Sequence, residues 1–579
     1  MLEFPGSDDS QESHARSDIV HDSDPSSGGL AEAVESALAD CREAKARGAD
    51  LVEFRIDAVF EGSFGDDAAD AHAAAQFHRL LDESTLPVVL TCRPSWEGGE
   101  YEGDDESRAE LLEKLCCGLG CAPAYIDVEL AAYTKSAEFR DRIDSCVSKA
   151  NGQGSETRLI LSIHDFKGRP ADLDRMMLKA YDEPACSIVK VAYRARSLRD
   201  NLDLFEMTRN APKPTIALGM GEFGLMSRVL APKFNGFLTF ASLRNEAATA
   251  PGQPTIDELL EMYRFRSIGK ATKFYGVIGW PVGQSLSPLI HNAGFAEIGW
   301  DGVYLPLPIA ADAGDAEASY TSFKATVESM LADSVLGLGG VSVTIPHKLN
   351  AAKLVWENGW FGSVQPWPPE ALNTLVFSTE SPTQNTSYNT DVDAIDDLIH
   401  EANSAAEWYV PAATVVVHGT GGVARAAVAG AWPGKTRVVG RDRTKAVQLV
   451  ESLLTSIPDA SEPDGEWLEV ADDILEDFGK RVIYINCTPV GMTGGPDPDG
   501  LSIPIPDMAN IGPETVFFDT VYNPVETPML KAARERGCKT IDGVEMFVKQ
   551  AAAQFELWTG TPAPVELFDR LCREKLSAD

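Results

Sequence analysis

Between residues 30 and 268 the chain alternates between helical apolar spacing and short β-rich apolar runs, and this rhythm restricts the possible folds more than any other feature. Leu30, Val34, Ala37, Leu38 and Cys41 recur at helical spacing, Gly48 ends that run, and a β-rich run follows over 51–56. Further apolar runs at 87–90, 124–128, 159–163, 188–192, 215–218 and 237–240 alternate with helical segments. Strand–helix repetition of this kind predicts an α/β chain opening with a (β/α)8 TIM barrel. The barrel's first strand is the weak point. It should precede Leu30, yet that segment offers only Ile19 and Val20 or residues 2–4, and a barrel lacking one strand leaves two unpaired edges. Either a short N-terminal piece fills the gap poorly, or the strand lies upstream of Met1.

Barrel chemistry sits at the C-terminal ends of the strands. Glu53 and Arg55 in LVEFRID, Arg93 after PVVLTC, His164 at the end of LILSI, Lys190 in SIVKVA, and Met220 and Arg228 after PTIALG all fall there. A lysine within an apolar strand is expensive to bury without a partner, or else titrates low. A lowered pKa is what an imine-forming lysine needs; the bland readings are a snorkelling lysine or one paired with a carboxylate. His164, on the neighbouring strand end, is a candidate general acid/base that Glu53 could orient.

These stretches, EFRID, TCRPSWEGG, SIHDF, VKVA, the MGEFGLMSR element and the APGQ tail, resemble type I 3-dehydroquinate dehydratase over roughly 30–268. The resemblance implies a metal-free dehydration in which Lys190 forms an imine with a ketone, His164 removes the adjacent proton, and water leaves from the carbon bearing the carboxylate. It also implies that Arg55, Arg93 and Arg228 hold carboxylate and hydroxyls, and that Met220, Phe240, Thr249 and Gln253 contact substrate. Thr249 stands where the family usually has serine.

After a junction at 266–272 a second α/β region begins. An apolar run at 275–278 turns through Gly279, Trp280 and Pro281 into a loop holding Ser285 and Ser287 ahead of a helical pattern. Hydroxyls and free N–H groups at a helix start favour an anion such as a carboxylate, although an N-cap with Pro288 in the first turn explains the same residues. VSVTIPHK carries Thr344 and Lys348, ALNTL carries Asn373, and YNTD carries Asp391. A lysine and an aspartate at neighbouring strand ends suggest proton donation to a carbonyl becoming an alcohol, where a lone charge would be surface. The pattern resembles shikimate dehydrogenases, whose motifs are PVxHSxSPxxHN, NVTxPxK, GAxNTL and GxNTD, with Gln284 replacing histidine and Ser342 replacing asparagine.

Residues 413–446 read as strand, GTGGVAR turn, helix and a second strand ending at Gly440, a dinucleotide signature. Arg441, Asp442, Arg443, Thr444 and Lys445 follow, resembling the family's NRTxxKA. Cations there would hold a 2′-phosphate, favouring NADP, while Asp442 keeps NAD open. NCTPVGM at 486–492, DTVYNP from Asp519 and the helical stretch 543–560 complete the likeness. It implies cofactor contacts from Gly419, Gly421, Gly422, Val423, Arg441, Asp442, Lys445, Thr488 and Met546. Substrate contacts would come from Ser285, Ser287, Thr344, Asn373, Tyr522 and Gln550, with Phe547, Phe555 and Trp558 on the packed face of the last helix.

The expected organisation is a disordered segment 1–28, a barrel 29–268, a substrate-binding domain 272–405 with 530–579, and an NADP-binding Rossmann domain 406–529. A chain of 579 residues favours several domains, about four by size or fewer with a barrel. A net charge of −38 opposes nucleic acid and anionic lipid, and no apolar run approaches a membrane span. Ten scattered cysteines and no signal or transit features suggest a reducing, cytoplasmic protein. Cys116, Cys117 and Cys121 lack the partners of a zinc site, so no metal is expected. The implied partners are the small molecules 3-dehydroquinate, 3-dehydroshikimate and shikimate. Two competing readings are a regulatory protein built from the same modules with dead sites, and a C-terminal half that prefers quinate. A regulatory version should have lost Lys190, His164, Lys348 or Asp391, and all are present.

Overall fold

The computed structural model describes residues 2–3, 15–18, 29–60, 68–116, 122–152, 155–244, 252–312, 314–362, 371–378, 381–405, 413–432, 434–456, 467–471, 481–505, 511–512 and 514–578. They divide into two compact units, Met1–Thr272 and Lys273–Asp579.

In the first unit the strands are β1 (Leu2–Glu3), β2 (Ala15–Asp18), β3 (Val52–Arg55), β4 (Val88–Thr91), β5 (Tyr125–Glu129), β6 (Arg158–Asp165), β7 (Cys186–Arg194), β8 (Thr215–Met220) and β9 (Leu238–Thr239). Strands β2 to β8 form one parallel sheet in chain order. The Phe237 N–H donates to the Thr215 carbonyl at 2.8 Å, which sets β9 beside β8. The other partner of β9 is β1, which pairs with it antiparallel.

Of the two expectations for the first strand, a short N-terminal piece is the one found, in a segment other than those named. The edge of β3 is covered by Ala15–Asp18, which the sequence reading passed over, with Ala15 opposite Val52 and Asp18 opposite Arg55. Ile19, Val20 and Phe4 lie outside the described residues. Backbone hydrogen bonding recruits a strand without demanding apolar side chains, so ARSD carries no periodic signal. The same finding corrects the expectation of disorder for residues 2–3 and 15–18; the rest of 1–28 lies outside the described residues.

The outer helices follow their apolar spacing. Helix Gly29–Ala46 buries Val34, Ala37, Leu38, Cys41 and Ala44, and each fully buried Val or Leu stabilises by roughly 1.5–3 kcal/mol. Inside the barrel, side chains alternate along each strand, so register stacks them in layers. Leu51, Val89, Tyr125, Ile160, Ile188, Ile216 and Leu238 form an apolar floor. Two residues further along each strand come Glu53, Thr91, Asp127, Ser162, Lys190, Leu218 and Phe240. Fixed strand register thus puts a polar layer directly on the floor.

The second unit holds two sheets. Strands β10 (Lys273–Gly279), β11 (Gly302–Pro308), β12 (Leu338–Val343), β13 (Thr374–Val376) and β14 (Thr386–Tyr388) are ordered β11-β10-β12-β13-β14, with the last two pairings antiparallel. Strands β15 (Thr414–His418), β16 (Thr436–Val439), β17 (Leu468–Val470), β18 (Val482–Asn486), β19 (Thr515–Asp519) and β20 (Lys539–Ile541) are all parallel, ordered β17-β16-β15-β18-β19-β20. This is the doubly wound dinucleotide order. Strand β20 corrects the expected lobe boundary at 530, because it extends the second sheet beside β19 and holds the chain there to Ile541. The short KTI strand, after Gly537 and Cys538, gives too brief a β pattern to read. The chain then returns through helix Gly543–Thr559, started by a capping box between Asp542 and Glu545.

Candidate active sites

The polar layer of the first unit opens into a cavity of about 80 Å³, lined among others by Glu53, Arg55, Arg93, His164, Lys190, Met220, Arg228, Phe240 and Gln253. Sequence reasoning thus named residues that the fold brings together. Thr249 lies outside the described residues. The Lys190 side chain is 6% exposed, and its Nζ donates to Asp127 Oδ2 at 2.5 Å and to Glu53 Oε1 at 3.3 Å. The same nitrogen sits 4.7 Å from the Phe240 ring centre. Of the sequence alternatives for Lys190, the structure realises the carboxylate-paired one.

His164 meets a different acid from the one expected. Its Nδ1 lies 3.1 Å from Glu97 Oε2, and its backbone N–H donates to that oxygen at 3.2 Å. Glu53 instead accepts from Thr91 Oγ1 at 2.8 Å, besides its bond from Lys190. The Arg93 guanidinium bridges the network: NH1 is 2.6 Å from His164 Nε2, and NH2 donates to Asp127 Oδ2 at 3.2 Å. Arg55 pairs with Asp57, with Nε 2.6 Å from Oδ1, and Arg228 Nε donates to the Gly219 carbonyl at 3.2 Å.

The electrostatics follow from burial among these charges. Burial, with the Arg93 and Lys190 cations beside it, holds His164 well below its ordinary value, so the ring is neutral and can accept a proton. Burial, aided by the charges of Glu129 and Asp127, pushes Glu97 up to about 8. Burial also acts to raise Asp127, but Lys190 and Arg93 outweigh it and hold this carboxyl below the usual range. Asp127 and Glu97 were missed from sequence. Asp127 was findable: it is an acid at an inward position of an otherwise apolar strand, the test that singled out Lys190. Glu97 lies inside the SWEGG stretch, whose Gly98 has φ 76° and no space for a Cβ, which would sit 2.2 Å from the Phe166 ring.

In the second unit a cleft of about 330 Å³ is lined by Ser285, Ser287, Thr344, Lys348, Asn373, Asp391, Val423, Tyr522, Met546 and Gln550, among others. Lys348 is the first residue of helix Lys348–Asn358, and Asp391 is in the first turn of helix Thr390–Ala405, so both stand at helix starts rather than strand ends. Lys348 Nζ donates to Asp391 Oδ2, with both side chains largely buried. Asn373 locks the aspartate's helix in place, accepting from the Thr390 backbone N–H at 2.8 Å and donating to Thr390 Oγ1 at 2.9 Å. Behind them runs a buried chain that sequence reasoning did not find. Tyr304 OH donates to Ser342 Oγ at 2.6 Å, Ser342 to Gln554 Oε1 at 2.7 Å, and Gln554 Nε2 to Thr374 Oγ1 at 3.0 Å. At the serine turn, Ser285 Oγ accepts from the Ser287 backbone N–H at 3.2 Å. Gln550 Nε2 donates to the Phe547 carbonyl at 2.9 Å, and the Tyr522 ring lies 5.1 Å from that of Phe547.

The glycine turn follows β15. Gly419 has φ 134°, and a Cβ there would lie 2.8 Å from the Cys487 carbonyl oxygen. A Cβ on Gly421 would meet open space, leaving room for a pyrophosphate at the start of helix Gly422–Gly430. A Cβ on Gly422 would come 3.2 Å from the Lys348 side chain, so this turn borders the lysine–aspartate pair. Thr488 is fixed by Asn486 Oδ1, to which its hydroxyl donates at 2.7 Å. Beyond β16, Arg441, Arg443 and Lys445 are exposed. Asp442 Oδ1 accepts from the Thr444 N–H at 3.0 Å and the Lys445 N–H at 3.4 Å, capping helix Arg443–Ser456.

Comparison with known proteins gives a family for each unit. The family model for type I 3-dehydroquinase matches residues 30–270, that for the shikimate dehydrogenase substrate binding domain matches 277–358, and that for the shikimate 5′-dehydrogenase C-terminal domain matches 543–572. The chain is 30% identical over 536 residues to the pentafunctional AROM polypeptide of Malassezia globosa, covering 89% of this chain and 30% of that one. It is 35% identical over 305 residues to the shikimate dehydrogenase (NADP(+)) of Microcystis aeruginosa, covering 52% of this chain and 96% of that one. To the chloroplastic bifunctional 3-dehydroquinate dehydratase/shikimate dehydrogenase of Arabidopsis thaliana it is 35% identical over 558 residues, 93% of this chain and 82% of that one. With both modules in one chain and this likeness along nearly its whole length, the protein belongs to the bifunctional 3-dehydroquinate dehydratase/shikimate dehydrogenase family.

Proposed function

We propose that the first unit dehydrates 3-dehydroquinate through an imine on Lys190 and that the second reduces the resulting 3-dehydroshikimate to shikimate. The carrying observation is that Lys190 and a neutral His164 line one cavity floored by apolar residues. Lys190 forms the C–N bond, and His164 takes the proton adjacent to the imine carbon with Glu97 fixing its ring. The cations of Arg55, Arg93 and Arg228 hold carboxylate and hydroxyls, while Met220, Phe240 and Gln253 shape the wall. The hydroxyl on the carboxylate-bearing carbon then leaves as water.

In the second unit Lys348 donates the proton to the carbonyl oxygen, and Asp391 orients the ammonium. Ser285, Ser287, Thr344, Asn373, Tyr522 and Gln550 bind the substrate. NADPH, when bound, supplies the hydride. The open space at Gly421 and the exposed cations after β16 fit that group, with Gly419, Gly422, Val423, Thr488 and Met546 completing its site. NADP is favoured over NAD because Asp442 spends one oxygen capping its own helix, leaving Arg441 and Lys445 to meet a 2′-phosphate.

The lobes of the second unit are 273–405 with 543–578, and 413–541. No described helix is long and apolar enough to cross a membrane. We place the protein in a reducing compartment, the cytoplasm, because ten scattered cysteines are too few for a disulfide scaffold. Given 3-dehydroquinate and NADPH, the protein should oxidise NADPH and form shikimate. Borohydride added with 3-dehydroquinate should attach substrate mass to the peptide carrying Lys190. Labelling at another residue, or none, would overturn the assignment.

A further inference from the structure

An amine must lose its proton to attack a ketone, and Lys190 Nζ donates to two carboxylates, those of Asp127 and Glu53. Something in the cavity must take the proton. Deepening the assignment of Lys190 given above, and resting on it, we propose that Asp127 is the catalytic group that accepts the ammonium proton of Lys190, and that substrate triggers the transfer by drawing Arg93 away from Asp127.

Geometry selects Asp127 over Glu53. Its Oδ2 is 2.5 Å from Nζ, against 3.3 Å for Glu53 Oε1, which also accepts from Thr91 Oγ1. Asp127 is 1% exposed, so a proton leaving Nζ reaches it without passing through solvent. The charged and titratable groups facing it are Lys190 from β7, Arg93 beyond β4, Glu53 from β3, and Glu97 in the turn after Arg93. Burial acts to raise this carboxyl, and the cations of Lys190 and Arg93 outweigh it. Arg93 lines the cavity, and its NH2 shares the oxygen that Lys190 uses. When the carboxylate or a hydroxyl of the substrate engages that guanidinium, one of the two cations is lost to Asp127, and burial then favours its neutral form.

The step balances. The N–H bond of Lys190 breaks, its proton goes to Asp127, and the freed electron pair forms the C–N bond at the ketone carbon. A second proton passes from the same nitrogen to the former ketone oxygen, and the hydroxyl so formed leaves as water with the proton held on Asp127. An iminium remains beside an ionised Asp127.

The test is borohydride trapping with 3-dehydroquinate, followed in time from pH 7 to pH 9.5. If the wild type is not labelled at Lys190, the assignment of the lysine fails and this inference with it. If it is labelled, Asp127→Asn should trap ~10²-fold more slowly at pH 7, with the deficit shrinking about tenfold per pH unit as hydroxide supplies the free amine. Asp127→Glu, which still titrates, should restore a rate that varies little with pH. Trapping by Asp127→Asn at the wild-type rate, or a deficit constant with pH as lost packing would give, overturns the inference while leaving Lys190 in its role. If circular dichroism shows Asp127→Asn to be unfolded, the wild-type trapping rate decides at fixed pH. Independence of buffer concentration supports an internal acceptor, and a rise with buffer concentration overturns it.

Discussion

In the barrel, Lys190 is carried mid-strand on β7, where the non-adjacent strands β3 and β5 bring Glu53 and Asp127 within 3.3 Å of its nitrogen. In the second unit, Lys348 opens a helix and meets Asp391 from the start of another, beside a cleft of about 330 Å³ against about 80 Å³ in the barrel. Strands in register stack every second side chain into one tube, so charges placed there surround one another and must be satisfied by one another. A barrel site therefore arrives as a dense network. Helix starts hold fewer groups and leave the approach open, and the neutral chain from Tyr304 to Thr374 does the fixing from behind. Removing one partner of a buried ion pair costs about 3–5 kcal/mol, so substitutions in the barrel network also act on folding.

The sharpest way to break this comparison is to remove each lysine alone. Lys190→Ala should abolish conversion of 3-dehydroquinate while 3-dehydroshikimate given directly still oxidises NADPH at the wild-type rate. Lys348→Ala should do the reverse, accumulating the conjugated enone as rising ultraviolet absorbance with NADPH untouched. Loss of both activities in either folded variant would mean that the two units do not work separately.

A smaller effect sharpens the reading of the open cleft. Arg441→Ala should weaken NADPH binding by roughly 1.5–3 kcal/mol, about 10- to 10²-fold, and leave NADH nearly unchanged, because only NADPH offers a phosphate to that cation. Equal losses for both cofactors, measured as KM or Kd, would assign Arg441 to the fold.

A further effect is on stability, and it tests whether the barrel network carries a strained proton. Glu97 is raised from 4.5 to about 8, so between these values the folded barrel holds a proton that the unfolded chain has released. Folding is then weakened as pH rises through that window. Glu97→Gln lacks the group, so its stability relative to wild type should improve from pH 5.5 to 8.5, by at most about 1.4 kcal/mol per pH unit. Calorimetry of the whole chain, following the transition that 3-dehydroshikimate shifts upward when NADPH is absent, reads this directly. A difference that stays constant across the range would refute it.

Much of both sites was legible because their residues interrupt patterns that physical chemistry otherwise enforces. Lys190 stood out as a charge in an apolar strand, and the glycines of GTGG stood out because strand, turn and helix surround them. What stayed hidden were partners whose meaning depends on strand or loop pairing. Glu97 reads as a surface acid in a turn until the SWEGG loop folds its carboxylate onto His164, and Gln554 reads as helix surface until it meets Ser342 and Thr374. The strand Ala15–Asp18 was invisible for a different reason, since its backbone pairing with β3 leaves no trace in side-chain pattern.

By itself the sequence determined the two-unit α/β plan, the alternation that makes a barrel, the dinucleotide turn and the lysines around which each site is built. Local periodicity and turn chemistry suffice for these, because they depend on residues close together in the chain. Only the tertiary structure decided which acid each cation meets, that Glu97 rather than Glu53 faces His164, and that β20 prolongs the nucleotide sheet to Ile541. Those outcomes depend on register between segments far apart in the chain. A shift of one residue in strand register would turn Glu53, Asp127 or Lys190 to the opposite face.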